Sequence, residues 1–301
     1  MSRSSIWLIA LQCSIAACSS AGGATPCTVN SDCPSNFCKA DGTCAPATAD
    51  ADPTIDGPKP DGSTGLCAPN HDGTIIQGEL PLVAGKSATF RSTTTGAFAT
   101  AGTAVGDGTH TWDLSTMLAG DADAALALQS PAGTWWAADF PTASYAVTLS
   151  SGSDLLGVFH VDATAVTLLG VVSPAAGTTK SELTYTPPAQ VLALPLTSSG
   201  AWTSSSAVAG YASGVYQAYW YDEKYTSHVD GLGTMKTPYG TFPVMRVATR
   251  LDRTYLGAAA LTKRQYGWFA ECFGGVATVV SKDNEAATEF TTEAEITRIA
   301  P

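Results

Sequence analysis

Across residues 67–301 no stretch keeps a 3.6-residue apolar period for three turns, which argues against a helical bundle. What recurs is a short run of β-branched, aromatic and small residues, bounded by Gly, Pro, Ser or Asp. Early runs are Ser87–Arg91, Trp135–Ala138, Ser144–Ser150, Leu155–Val161, Ala165–Val172 and Glu182–Tyr185. Later ones are Val191–Leu194, Gly214–Tyr221, His228–Lys236, Phe242–Arg250, Tyr266–Phe273, Gly275–Ser281 and Phe290–Ile299. Only Ala119–Leu128 and Gly257–Lys263 read as short helices. Many strands without crossover helices predict a mainly β domain of antiparallel sheets, a sandwich or a curved half-barrel. The Ser/Gly/Pro-rich stretch Ser173–Ser181 is a candidate boundary between two lobes.

The other 66 residues are of a different kind. The apolar run Ile6–Leu11 follows Arg3 and is too short to span a bilayer, so residues 1–17 read as a signal peptide. Ile15-Ala16-Ala17-Cys18 ends it. This tetrapeptide resembles a bacterial lipobox, which implies diacylglycerol transfer to the Cys18 thiol, cleavage before Cys18 and acylation of the new amino terminus. Several acyl chains together anchor a protein stably where one would be marginal. Residues 18–26 would then be a lipidated tether, and the uncharged Ser19-Ser20 suits an outer-membrane or cell-surface location. The competing reading is an ordinary secretory signal cut near Ala21–Ala24.

Of eight cysteines, setting aside Cys13 and Cys18 leaves six, an even number that suits an oxidising compartment. Cys27, Cys33, Cys38 and Cys44 are packed among turn formers, in a segment too short to bury a core. Two disulfides are expected there, and 27–38 with 33–44 is preferred among three open pairings. The spacing resembles a small Dickkopf-type cysteine-rich repeat. A zinc site is disfavoured by the lack of CxxC pairs and of histidine within 27–44. Residues 45–66 are rich in Pro, Asp, Gly, Thr and Ala and read as a disordered linker. Cys67 and Cys272 remain as partners across nearly the whole β-domain.

Charge narrows the partners. With 15 basic and 26 acidic residues the net charge is −11, which disfavours nucleic acid. The expected partner is a membrane, through the lipid, together with a glycan or protein.

The strongest local pattern is Val229 to Val247. Thr237-Pro238-Tyr239-Gly240 suits a type I turn, so a hairpin is expected around it. Phe242, Val244 and Arg246 should point one way, with Met245 and Val247 on the other face. Gly231 and Gly233 leave one face without side chains, as a bulge or a bulky neighbour would require. The run resembles a DGxGTxxTPxGTF…RV hairpin of uncharacterised exported bacterial proteins, which also often carry a TWD(F/L)S segment. Thr111-Trp112-Asp113-Leu114-Ser115 matches the latter. The resemblance implies a shared β fold and no particular chemistry.

Catalytic and cofactor motifs are missing. The chain has no GxSxG, HExxH, GxxxxGK[ST] or GxGxxG, and its four histidines are scattered. His228-x-Asp230 and Asn70–Gly73 read as a polar sheet face and a turn, and Asp52–Gly57 as linker, not a calcium loop. No metal, cofactor or catalytic residue is therefore assigned. Trp136, Tyr219 and Tyr221 are the candidate ligand-facing aromatics, able to stack on sugar rings or line an apolar cleft. The expected function is a membrane-anchored exported lipoprotein with a ligand-binding, partner-binding or structural role. An exported hydrolase with dispersed catalytic residues is the alternative.

Overall fold

A computed structural model describes residues 67–301. Cys18, the four cysteines Cys27, Cys33, Cys38 and Cys44, and the linker 45–66 lie outside the described residues.

The described chain is almost entirely β. In order it forms β1 (Thr74–Ile75), β2 (Ser87–Thr93), β3 (Thr103–Ala104), β4 (His110–Asp113), β5 (Ala122–Ala127) and β6 (Tyr145–Thr148). Next come β7 (Leu156–Val161), β8 (Ala165–Val172), β9 (Glu182–Ala193), β10 (Leu196–Thr197) and β11 (Ala201–Ala212). The longest, β12 (Val215–Lys236), is followed by β13 (Thr241–Tyr255), β14 (Ala258–Ala270), β15 (Gly274–Ser281) and β16 (Glu293–Ile299). A single 3-10 turn at Gln77–Glu79 is the only helical element among the described residues.

One sheet runs β5-β2-β16-β15-β14-β13-β12-β11-β9-β8-β7-β6, antiparallel throughout. Its two edges nearly meet. The Gln129 backbone amide donates to the Ala146 carbonyl (2.8 Å) and the Ala146 amide donates to the Gln129 carbonyl (3.0 Å), just past the end of β5 and within β6. The result is a nearly closed half-barrel, a form that leaves few unpaired edge groups.

Alternation along the strands builds three cores. Met245, Val247 and Leu251 of β13 join Tyr225, Val208, Leu183, Phe159 and Phe269 on the inner face. Ile75, Leu80 and Leu82, around the 3-10 turn, add to this inner cluster. On the opposite face, Phe242 and Val244 pack with Trp112, Leu114, Trp268 and Ile296 under the strap 94–121. A third cluster sets Trp136 and Phe140, from the strap 130–143, against Val158, Leu169 and Val172.

Residues 68–301 fall in one compact unit, and Ser173–Ser181 lies within it. That stretch is a turn between two paired strands, closed by the Ser173 amide donating to the Ser181 carbonyl (2.9 Å). Neither expected helix forms. Ala119–Leu128 contains β5 because β2 supplies a ladder from Ser87↔Ala127 to Ser92↔Ala122. Gly257–Lys263 begins β14, since the positive φ of Leu256 and Gly257 folds it back on β13. Trp135–Ala138 is a turn, and Gly214–Tyr221 and His228–Lys236 are parts of the single strand β12. Cys67 and Cys272 are joined in a disulfide.

Candidate functional site

The Val229–Val247 hairpin and the Thr111–Ser115 segment converge on one buried arginine. A bulge between Val229 and Gly231 adds a residue to β12. Odd-numbered residues face the inner core before it and the outer core after it. Gly231 then lies against the Trp112 ring, where a Cβ would stand 3.2 Å away. At Gly233 (φ +154°) a Cβ would meet the His110 carbonyl at 1.9 Å, because β4 runs parallel to β12 there. Arg246 is 5% exposed and lies over the rings of Trp112 and Tyr266. It donates to both oxygens of Asp230 (2.8 Å each), to Glu289 (2.8 and 3.3 Å) and to the Thr100 carbonyl (2.5 Å). The Trp112 indole donates to that same carbonyl (2.9 Å). Every donor of the fork is directed at a protein acceptor, so the cluster fastens the strap and leaves no group for chemistry.

The barrel interior is different. Tyr185 of β9, Ser206 of β11, Glu223 and Tyr225 of β12, and Arg253 of β13 line one wall. Glu223 is 1% exposed and accepts from the Arg253 guanidinium (3.0 and 2.5 Å) and from the Tyr225 hydroxyl. Arg253 also covers the Tyr221 ring at 4.0 Å from its centroid. Burial, reinforced by the Glu223 charge, holds the hydroxyls of Tyr185, Tyr221 and Tyr225 protonated far above the ordinary tyrosine range. Arg253 is held charged against its own desolvation by Glu223.

The Tyr185 and Tyr221 hydroxyls and Ser206 Oγ are buried here without a hydrogen bond of normal geometry, the two tyrosine hydroxyls interacting with each other. Trp202 Nε1, four residues along β11 from Ser206 and opposite Ser227, is buried and unpartnered too. Ser206 and Glu223 are register partners, and so are Tyr185 and Val208, and Val208 and Tyr221. Buried polar atoms are normally satisfied by protein or by ordered water, so these hydroxyls have hydrogen-bonding capacity that the protein does not use. Beside it Tyr225, Ser227, Thr249, Lys263, Gln265 and Thr278 line a cavity of about 50 Å³ floored by Val191, Val247, Leu251 and Phe269. Burial pushes the Lys263 ammonium below its ordinary range, against the pull of Asp283 at 2.7 Å. A second cavity, about 150 Å³, lies where β5 and β6 come together and is walled by Ser92, Thr148, Ser150, Ser151, Ser153, Thr297 and Glu295.

No family model matches this chain, and no curated protein and no solved structure is significantly similar to it. The site alone carries the reading.

Trp136 does not face a ligand: it is 1% exposed in the third core, because a tryptophan under a strap buries more area than one on a rim. Tyr221 lies against Arg253 within the wall, and Tyr219 sits half-buried beside Tyr255. Asp230 is engaged by Arg246, while His228 stays exposed. His110 and His160 give a ring nitrogen to the carbonyls of Ala101 and Thr142, and His71 lies 3.9 Å from Glu271. Among the described residues no group of three metal-ligating side chains occurs. The sequence reading missed Glu223, Arg253, Tyr185 and Lys263. The one available signal was Tyr221-x-Glu223-x-Tyr225-x-Ser227, a period-2 polar face. Asp222, Lys224, Thr226 and His228 alternate with it and are equally polar, so neither face declares itself.

Proposed function

We propose that this chain is an exported lipoprotein, held by Cys18 at the outer membrane or cell surface, whose half-barrel binds a small uncharged ligand inside. The lipobox-like Ile15–Cys18 and the even set of six further cysteines support export and anchoring. One observation supports binding above the others: the buried hydroxyls of Tyr185, Ser206 and Tyr221, short of well-formed protein hydrogen bonds beside a charge-neutralised Glu223–Arg253 pair. Net charge at that wall cancels, so recognition would rest on hydroxyl hydrogen bonds, which favour a hydroxyl-rich molecule such as a sugar. The apolar floor of Val247, Leu251 and Phe269 suits the carbon face of such a ring. The outward residues Lys224, Thr226, His228 and Arg250 are exposed and polar while the inner face is largely apolar, the reverse of a membrane-spanning barrel.

The test uses the full chain with Cys18→Ser, screened on a glycan array and by thermal shift. A saccharide that raises the melting temperature of this chain, and does so less in Ser206→Val and Tyr185→Phe, supports the reading. Failure of all saccharides in both assays removes the carbohydrate version. Membrane fractionation tests the anchor: the Cys18→Ser chain should leave the membrane pellet, and its retention there would refute lipidation at Cys18.

A further inference from the structure

The long strands β11–β14 end in two adjacent hairpin turns, Ser213-Gly214 and Leu256-Gly257, all four residues with positive φ. The Tyr219 hydroxyl accepts from the Leu256 amide (3.3 Å), which joins the two tips into one apex. On it Val215 is 55%, Tyr216 60%, Tyr255 51% and Leu256 74% exposed. Tyr211 packs on Tyr216 with ring centroids 5.1 Å apart, and Tyr219 on Tyr255 at 6.1 Å. No charged residue occurs in 209–221 or 254–262, in a chain that carries 26 acidic and 15 basic ones.

Leu256 is the sharpest anomaly. Its φ of 48° is a left-handed conformation that suits Gly, Asn or Asp and disfavours a leucine. It is also the most exposed large hydrophobic residue described. Conformation and solvation both oppose leucine here, so the side chain is retained for something it touches.

We propose that this apex inserts into the interfacial layer of a lipid bilayer. The occupant follows from shape and charge. A stable protein dimer uses about 20–30 residues a side, whereas the apex presents six: Tyr211, Val215, Tyr216, Tyr219, Tyr255 and Leu256. The two turns carry no charge of their own: Lys180, which lies over the Tyr211 ring at 4.7 Å, is paired with Glu182 at 2.5 Å, and Asp222 accepts from the Tyr219 hydroxyl at 3.0 Å behind the tip. Tyrosines with an apolar body and a polar end, flanking a leucine and a valine, match the headgroup–acyl boundary. With the one adjoining cation, Lys180, neutralised by Glu182, insertion needs neither anionic lipid nor low salt. This inference goes beyond the interior binding site. Its membrane setting rests in part on the lipoprotein reading, and its test removes the lipid.

The experiment uses the full chain with Cys18→Ser, which carries no acyl chain, sedimented with phosphatidylcholine vesicles and with vesicles containing phosphatidylglycerol. The chain should partition equally onto both, and high salt should not release it. Leu256→Asn should weaken partition about tenfold, the contribution of burying one leucine side chain, while keeping or raising the melting temperature because Asn tolerates the turn. Tyr216→Ser should weaken it further. No partition onto phosphatidylcholine overturns the proposal, as does partition that requires phosphatidylglycerol. A dimer in sedimentation velocity that Leu256→Asn dissolves also overturns it, assigning the apex to self-association instead. A failed saccharide screen leaves these outcomes unaffected, so the two readings fail separately.

Discussion

Replacing Arg253 by Met should be far more damaging than its position on the rim of a long strand suggests. Its partner Glu223 has a side chain 0% exposed, against 16% for Arg253. In Arg253→Met the carboxylate keeps only the Tyr225 hydroxyl as donor, inside a wall of tyrosine rings. Removing one member of a buried pair costs about 3–5 kcal/mol, mostly the uncompensated desolvation of the survivor. Glu223→Gln is expected to cost less, about 1–3 kcal/mol, since Arg253 keeps the Tyr221 ring and can turn toward water. The double variant Glu223→Leu with Arg253→Met leaves no buried charge and should lie within about 1 kcal/mol of the parent chain. Urea unfolding followed by tryptophan fluorescence, with the disulfide intact, measures all three. If Arg253→Met costs under about 1 kcal/mol, or the double variant is no more stable than Arg253→Met alone, Glu223 is not desolvated.

Gly233→Ala should cost at least about 3 kcal/mol in the same assay, because its Cβ would meet the His110 backbone at 1.9 Å and expel β4. Peptide mapping without reductant should recover Cys67 joined to Cys272, and reduction should lower stability by up to about 5 kcal/mol for so long a loop. Glu293 is 3% exposed with one oxygen unpartnered, and burial raises its carboxyl pKa to about 7. The native state therefore holds this proton more tightly than the unfolded chain does. Stability should fall as pH rises from about 4.5 to about 7 and level off above, by a total of about 2–3 kcal/mol. Glu293→Gln should flatten that slope in pH-dependent unfolding, and an unchanged slope would refute the assignment.

How much of this was legible in the sequence depends on whether a residue's role is local. The Thr237–Gly240 turn was, because Pro and Gly there dictate backbone angles. So was the bare face at Gly231 and Gly233, although not the identity of the bulky neighbour, Trp112, some 120 residues earlier. The disulfide followed from counting. The closure at Gln129 and Ala146 did not, since a single bridge between distant segments leaves no periodic trace. Ala119–Leu128 and Gly257–Lys263 read as short helices, and a neighbouring strand overrode that preference in each case. The inner wall was invisible for a related reason. β12 is polar on both faces through residues 222–228, one toward solvent and one toward Arg253, and only the folded sheet distinguishes them.

The two straps decide where this barrel can yield. The strap 94–121 covers outward residues of β13, β14 and β16, and the strap 130–143 covers those of β7 and β8. Both faces of those strands are packed, so separating them would expose two cores at once. Along β9, β11 and the middle of β12, the outer residues Thr184, Thr186, Thr203, Ser205, Lys224 and Thr226 face solvent. This single-layer wall carries on its inner side Tyr185, Ser206, Glu223 and Tyr225, together with three of the unpartnered atoms when Tyr221 is included. Local opening follows the path that exposes least apolar area. The wall that carries the buried polar cluster is thus packed on its inner side only, by Leu183, Leu192 and Val208 of the main core, and separating it exposes less apolar area than separating the double-layered remainder.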